Sequence, residues 1–307
     1  MKYLIIGGGG IGGSLAAAMA ENGLDITVIA RGAHLQAIKE HGLKMETTVR
    51  GNYTVAPIRG CTAEEYNDKA DVIFLCVKGY SVAEVLPLIK RAAHSGTVVI
   101  PLLNIYGLGG HLQEELPHLL VTDGCIYISA EIREAGIIRQ SGAIFRVVFG
   151  VREAQDYRPL LAEIESDLKN CGIETILSCD IKRDAFRKYT YVSAMAACGQ
   201  YYDINAAAMQ KEGKERQTFI ALVQELGVIA QAMGIDFGID IVENNLKILD
   251  SLAPTASTSM QRDLKQGSRS EIDGLIFEVL RMAEKEHVSV PNYVKIAAAL
   301  EKFRTAS

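Results

Sequence analysis

The run Gly7-Gly8-Gly9-Gly10-Ile11-Gly12 is where residue type and spacing first suggest chemistry. It matches G-x-G-x-x-G, with an apolar stretch, Lys2 to Ile6, before it and helix-forming sequence, Ser14 to Glu21, after it. In that context such a turn cradles a diphosphate. Gly7 makes the tight turn, Gly9 lets the backbone approach the phosphates, and Gly12 lets the helix lie close to the sheet. Gly8, Gly10 and Ile11 complete a loop whose N–H groups and helix dipole favour an anion. The chain holds 28 glycines, so the motif carries weight only through its flanks.

A second strand, Asp25 to Ala30, ends at Arg31, and no Asp or Glu lies between Asp25 and Glu40. At this place an acidic residue would hold the ribose hydroxyls of NAD, whereas an arginine accommodates the extra phosphate of NADP. A guanidinium donates to phosphate in bidentate fashion, so the expected cofactor is NADP (NADPH). The bland alternative is a solvated loop arginine. Lys78 and Asn104 each follow a strand, where ligands of an open parallel sheet bind. Lys78 could reach cofactor ribose or phosphate and Asn104 could bond near the nicotinamide. A surface lysine and a turn asparagine are the alternatives.

The elements that must position these residues alternate. Ala33 to Glu40 reads as a helix, and Leu43 to Ile58 as two strands turning at Gly51-Asn52, expected to extend one edge of the sheet. Ala70 to Val77 has the continuous apolar character of a strand buried on both faces. Ser81 to Ala93 is a helix, Thr97 to Leu103 a strand and Gly107 to Leu116 a helix. Turn signals at Glu134-Ala135-Gly136 and Ser141-Gly142 divide Cys125 to Gly150 into about three segments of an antiparallel meander at the sheet edge. Asp156 to Asn170 is an amphipathic helix and Ile173 to Leu177 a last strand. Residues 1–178 form the expected NADP-binding Rossmann-type α/β domain. Residues 179–307 read as helices throughout: 181–197, 213–233, 239–252, 258–266, 272–286 and 292–303. This all-helical second domain would leave a substrate cleft beside the first.

Composition narrows the function classes. The 307 residues are 49% hydrophobic, enough for two packed cores, and the net charge of -5 argues against nucleic acid as main partner. No stretch approaches the ~18 consecutive apolar residues of a membrane span, and no secretory apolar region opens the chain, so a cytoplasmic protein is expected. The six cysteines form no C-x-x-C pair, and no His or Cys pair has zinc-site spacing, so no metal is expected.

Asp184-Ala185-Phe186-Arg187-Lys188 resembles the lysine-bearing helix of the ketopantoate reductase family (2-dehydropantoate 2-reductase). Ser259-Met260-Gln261-Arg262-Asp263, followed by Arg269-Ser270-Glu271-Ile272-Asp273, resembles its S-M-x-x-D...E-I-D segment. The likeness runs in order through the glycine loop, Arg31, Val77-Lys78, Asn104, Lys188, Ser259, Glu271 and Val290-Pro291. It implies an NADPH-dependent reduction of a 2-oxo acid to a 2-hydroxy acid. Lys188 would be the general acid, Glu271 would position the substrate hydroxyl or the lysine, Ser259 would contact the substrate carboxylate, and Lys78 and Asn104 would line the cleft. The partner it implies is a small 2-oxo acid, and a homodimer stays open. Three departures are visible. Val192 and Ala196 stand where the family usually has Asn, Ile105 replaces the glycine after Asn104, and Gly274-Leu275-Ile276-Phe277 replaces the stretch carrying Asn-Gly. A pocket that swaps amides for apolar groups should favour a different 2-oxo acid. A related dehydrogenase of another hydroxy acid, or an NADPH-binding member that has lost catalysis, are the alternatives.

Overall fold

The computed structural model describes residues 1–304. These divide into two compact units: Met1–Leu103 with Gly107–Ile181, and Asn104–Tyr106 with the chain from Lys182 onward.

The first unit holds two sheets. In the first, β1 (Lys2–Ile6), β2 (Asp25–Ile29), β5 (Arg59–Cys61), β6 (Ala70–Leu75), β7 (Ala93–Pro101) and β8 (Leu120–Val121) run in the order β5-β2-β1-β6-β7-β8, all parallel. Successive residues of β1 go to opposite faces: Tyr3 and Ile5 join one core, Leu4 and Ile6 the other. That is why this strand reads as continuously apolar. The second sheet contains β3 (Leu43–Thr47), β4 (Gly51–Val55), β9 (Asp123–Glu134), β10 (Ile137–Gly150) and β11 (Glu174–Leu177).

This second sheet corrects two expectations. The hairpin of β3 and β4 does not extend the first sheet, because β3 pairs in parallel with β10 and the edge beside β2 is taken by β5. The expected three-segment meander is two long strands. Gly136 makes the turn, whereas Ser141-Gly142 lies in an irregularity of β10, where pairing passes from Ser141↔Ser129 to Arg146↔Tyr127.

The helices of the unit are α1 (Gly10–Glu21), α2 (Gly32–His41), α3 (Val82–Ala92), α4 (Leu108–Glu115) and α5 (Leu160–Asn170). Helix α1 lies between the two sheets and is buried without interruption from Gly12 to Met19. Its glycines make this possible. A Cβ on Gly12 would strike the Gly7 carbonyl oxygen on the first-sheet side, and one on Gly10 or Gly13 would strike Ala130 or Ile138 of the second sheet. A helix pressed from both sides needs small residues on both faces, which explains why helix begins at Gly10 rather than at Ser14 despite glycine's poor propensity.

The helical unit contains α6 (Ile181–Tyr202), α7 (Ala206–Met209), α8 (Lys214–Ala232), α9 (Ile241–Ser251), α10 (Ser259–Lys265), a π-turn at Asp273–Phe277, α11 (Glu278–Lys285) and α12 (Pro291–Arg304). One core joins Phe186, Met195, Phe219, Leu226, Ile272 and Tyr293. Helix α12 opens on Pro291, a residue suited to a first helical position. Its first N–H groups are capped from elsewhere: the buried Glu225 carboxylate accepts from Asn292 N at 2.7 Å and Tyr293 N at 3.0 Å. No helix among the described residues is long and apolar enough to cross a membrane.

Candidate active site

The glycine turn is assembled by backbone alone. Gly7 and Gly8 donate to the Ile29 carbonyl at the end of β2, at 3.1 and 2.9 Å, which folds the turn back over the first sheet. Gly7 adopts φ of +105°, open to glycine but costly for other residues, and a Cβ there would press on Cys76. A Cβ on Gly9 would meet nothing within 4 Å, so the helix start has open space before it. No side chain caps α1 and no acidic residue stands in its first turn. The first-turn N–H groups, Ile11 among them, have no intrahelical carbonyl to bond. Open space, unused donors and a positive dipole end together fit a diphosphate.

Arg31 is the residue before α2, with extended backbone at φ −147°. Its side chain is exposed, and no carboxylate among the described residues pairs with it. That fits a guanidinium kept for an anion, and with the glycine turn it makes the first unit suitable for NADP. Lys78 precedes a short 3-10 turn, Gly79–Ser81, after β6; it is half-buried and its carbonyl accepts from Ser81 N at 2.9 Å.

In the helical unit the structure brings two predicted residues into contact. Lys188 is 8% exposed on α6, and its Nζ donates to Asn104 Oδ1 at 2.7 Å. A buried ammonium needs such a partner, since unpaired burial is costly. Asn104 sits there with its two neighbours. Tyr106 lies edge-on to Phe186 with ring centroids 4.6 Å apart, and Phe186 stacks on Phe237 at 6.2 Å. The Ile105 side chain occupies the space above Gly274, where a Cβ would come within 2.6 Å of it. Ile105 on one segment thus packs directly on the backbone of Gly274 on the other, leaving no room for a side chain at 274.

Glu271 is buried just before the π-turn, at 6% exposure. Such a turn interrupts the regular helical ladder. Hydroxyls from α6 bond its carbonyls, Tyr189 Oη to Gly274 O at 2.8 Å and Ser193 Oγ to Leu275 O at 2.6 Å. The segment following Glu271 is thus fastened to the helix that carries Lys188. Ser259 is half-buried as the first residue of α10, behind a capping box formed by Thr258 and Gln261. Val192 is half-buried and Ala196 fully buried.

Sequence reasoning missed Ser270. It is 2% exposed beside Glu271, and its hydroxyl has no hydrogen-bond partner. Its position next to a candidate acid was the one available signal. Tyr189 and Ser193 were missed because their partners lie 85 and 82 residues away. Among the described residues no group of three or more His, Cys, Asp or Glu could hold a metal ion.

The model of the ketopantoate reductase PanE/ApbA family matches residues 3–154, and that of its C-terminal domain matches residues 180–303. The chain belongs to the ketopantoate reductase family. With that family it is an NADP-dependent oxidoreductase acting on CH–OH groups. It is 25% identical to an uncharacterised oxidoreductase, YkpB, of Bacillus subtilis, with 99% of each chain covered. It is also 25% identical to a 2-dehydropantoate 2-reductase of Mesorhizobium japonicum, over 98% of this chain and 97% of the relative. The fold is shared with D-mandelate dehydrogenase in its ternary structure with NADH and anilino(oxo)acetate. There the TM-score is 0.88 at 20% identity, covering 100% of this chain and 99% of the other.

Proposed function

We propose that this family member reduces a 2-oxo acid with an apolar side chain to the corresponding 2-hydroxy acid, using NADPH. The observation that carries the reading is the buried Lys188 ammonium held on Asn104 Oδ1 at 2.7 Å. NADPH, when bound, supplies the hydride that reduces the carbonyl carbon. The chain's own residues answer the charge that then develops on the carbonyl oxygen. Lys188 stabilises that charge and donates a proton, Asn104 keeps the ammonium oriented, and Glu271 positions the substrate hydroxyl or the lysine. Ser259 contacts the substrate carboxylate. Gly7 to Gly12 hold the diphosphate, Arg31 the 2′-phosphate, and Lys78 reaches the ribose or phosphate.

The apolar preference rests on Val192 and Ala196 along α6 from Lys188, and on Ile105 packed over Gly274. An unmatched polar substituent costs about 1–3 kcal/mol in such surroundings. The ternary structure of D-mandelate dehydrogenase, which shares the fold, holds NADH and anilino(oxo)acetate, and this supports including aromatic acids among the candidates. The test is an NADPH-oxidation screen over linear, branched and aromatic 2-oxo acids, ketopantoate included. Highest kcat/KM on an apolar member is expected. A dominant ketopantoate activity would overturn the assignment of substrate, and NADPH binding with no turnover on any acid would favour a member that has lost catalysis.

A further inference from the structure

His34 stands in the first turn of α2, three residues after Arg31, and is half-buried. Its Nε2 lies 2.8 Å from the carbonyl oxygen of Gly8, in the diphosphate turn. Its Nδ1 receives the backbone N–H of Gly136, at the tip of the β9–β10 hairpin, at 3.0 Å. An amide N–H can only donate, so Nδ1 is the unprotonated nitrogen and Nε2 carries the hydrogen toward Gly8. The ring is therefore a neutral strut with a defined tautomer, and burial holds its pKa below the usual histidine value.

Both ends of the strut are fixed. Gly8 donates its own N–H to Ile29 O at 2.9 Å, and Gly136 accepts from Lys44 N at 2.9 Å. A Cβ on Gly136, whose φ is +76°, would come within 2.7 Å of the Ala37 side chain, one turn along α2 from His34. The hairpin tip thus rests on α2, and His34 extends that contact to the glycine turn. Gly8 belongs to the loop that faces the diphosphate and Arg31 opens the helix that faces the 2′-phosphate. The imidazole is a direct side-chain bond from that helix to that turn.

We propose that His34 is a positioning residue of the dinucleotide site, setting Arg31 in register with the glycine turn so that both phosphate groups are met at once. The proposal rests on the reading that this turn and Arg31 hold NADPH. Loss of the strut should weaken the cofactor that needs both anchors more than the one that needs only the turn.

The experiment compares dissociation constants for NADPH and NADH in the wild type, His34→Ala, His34→Phe and His34→Gln, with thermal melts to establish folding. Phenylalanine keeps ring volume without either bond, so it carries the test if the alanine variant does not fold. Glutamine offers both an acceptor and a donor and should restore most of the effect. The expected result is an NADPH Kd raised about tenfold in the alanine or phenylalanine variant, with NADH changed much less. A general loss of stability would not move that ratio in protein that is still folded. An unchanged NADPH-to-NADH ratio in variants lacking the imidazole would overturn the role of His34 while leaving NADPH binding intact. A wild type that does not bind NADPH would overturn the cofactor reading and the strut with it.

Discussion

The two units build their sites from different materials. The glycine turn is backbone: six consecutive residues, five of them glycine, shaped by bonds to the end of β2 and by the start of α1. The helical unit relies on side chains drawn from far apart in sequence, with Lys188 reaching Asn104 across 84 residues and Tyr189 reaching Gly274 across 85. A backbone site tolerates little at the residues that shape it. A side-chain site instead depends on distant segments meeting, as the Lys188–Asn104 bond and the packing of Ile105 over Gly274 illustrate.

The largest effect should come from the side-chain site. Lys188→Ala is expected to lower kcat about 10²–10⁴-fold if it donates the proton, measured at saturating NADPH and 2-oxo acid. An unaltered kcat would remove Lys188 from the reaction. Next in size is Arg31→Asp, which exchanges a charge-assisted contact for repulsion. NADPH binding should weaken by about 1.5–3 kcal/mol or more, and NADH binding far less. Equal losses for both cofactors would refute the contact with the 2′-phosphate.

Gly12→Ala probes the backbone site through stability instead of chemistry. The added methyl would meet the Gly7 carbonyl oxygen, Cys76 and Ile5, and overpacking of this kind costs about 1–3 kcal/mol. A melting temperature equal to wild type would mean that α1 can retreat from the first sheet. Smallest is a pH effect from His34, whose folded pKa is lowered mainly by burial. Below the unfolded value of about 6.5 the unfolded chain takes up a proton that the folded chain resists. Its contribution to stability is therefore complete above that pH and declines as pH falls toward the lower folded pKa. Comparing urea midpoints of wild type and His34→Phe between pH 7.5 and 5.5 measures it, and parallel curves would count against a neutral buried imidazole.

The shape of the glycine turn, the parallel strands and the run of helices after residue 180 were legible because each rests on local rules: glycine torsions, continuous apolar strands and helical spacing. Two features of the fold were not. The second sheet escaped because β3 and β10 pair across about ninety residues, and alternation along a strand does not say which sheet it joins. The bulge at Ser141-Gly142 carries the same residues as a turn, and only the pairing with β9 distinguishes them.

For the site itself, residue order alone marked the candidates: a glycine turn suited to phosphate, an arginine after the second strand, and a lysine, a glutamate and a serine in a recognisable order. Their number along the chain says nothing about whose side chain touches whose. It took the folded chain to bring Asn104 to Lys188, Ile105 over Gly274, and His34 between the glycine turn and the hairpin at Gly136. The difference is one of range: torsional preference acts within a few residues, while a hydrogen bond or a filled space exists only once distant segments have been packed together.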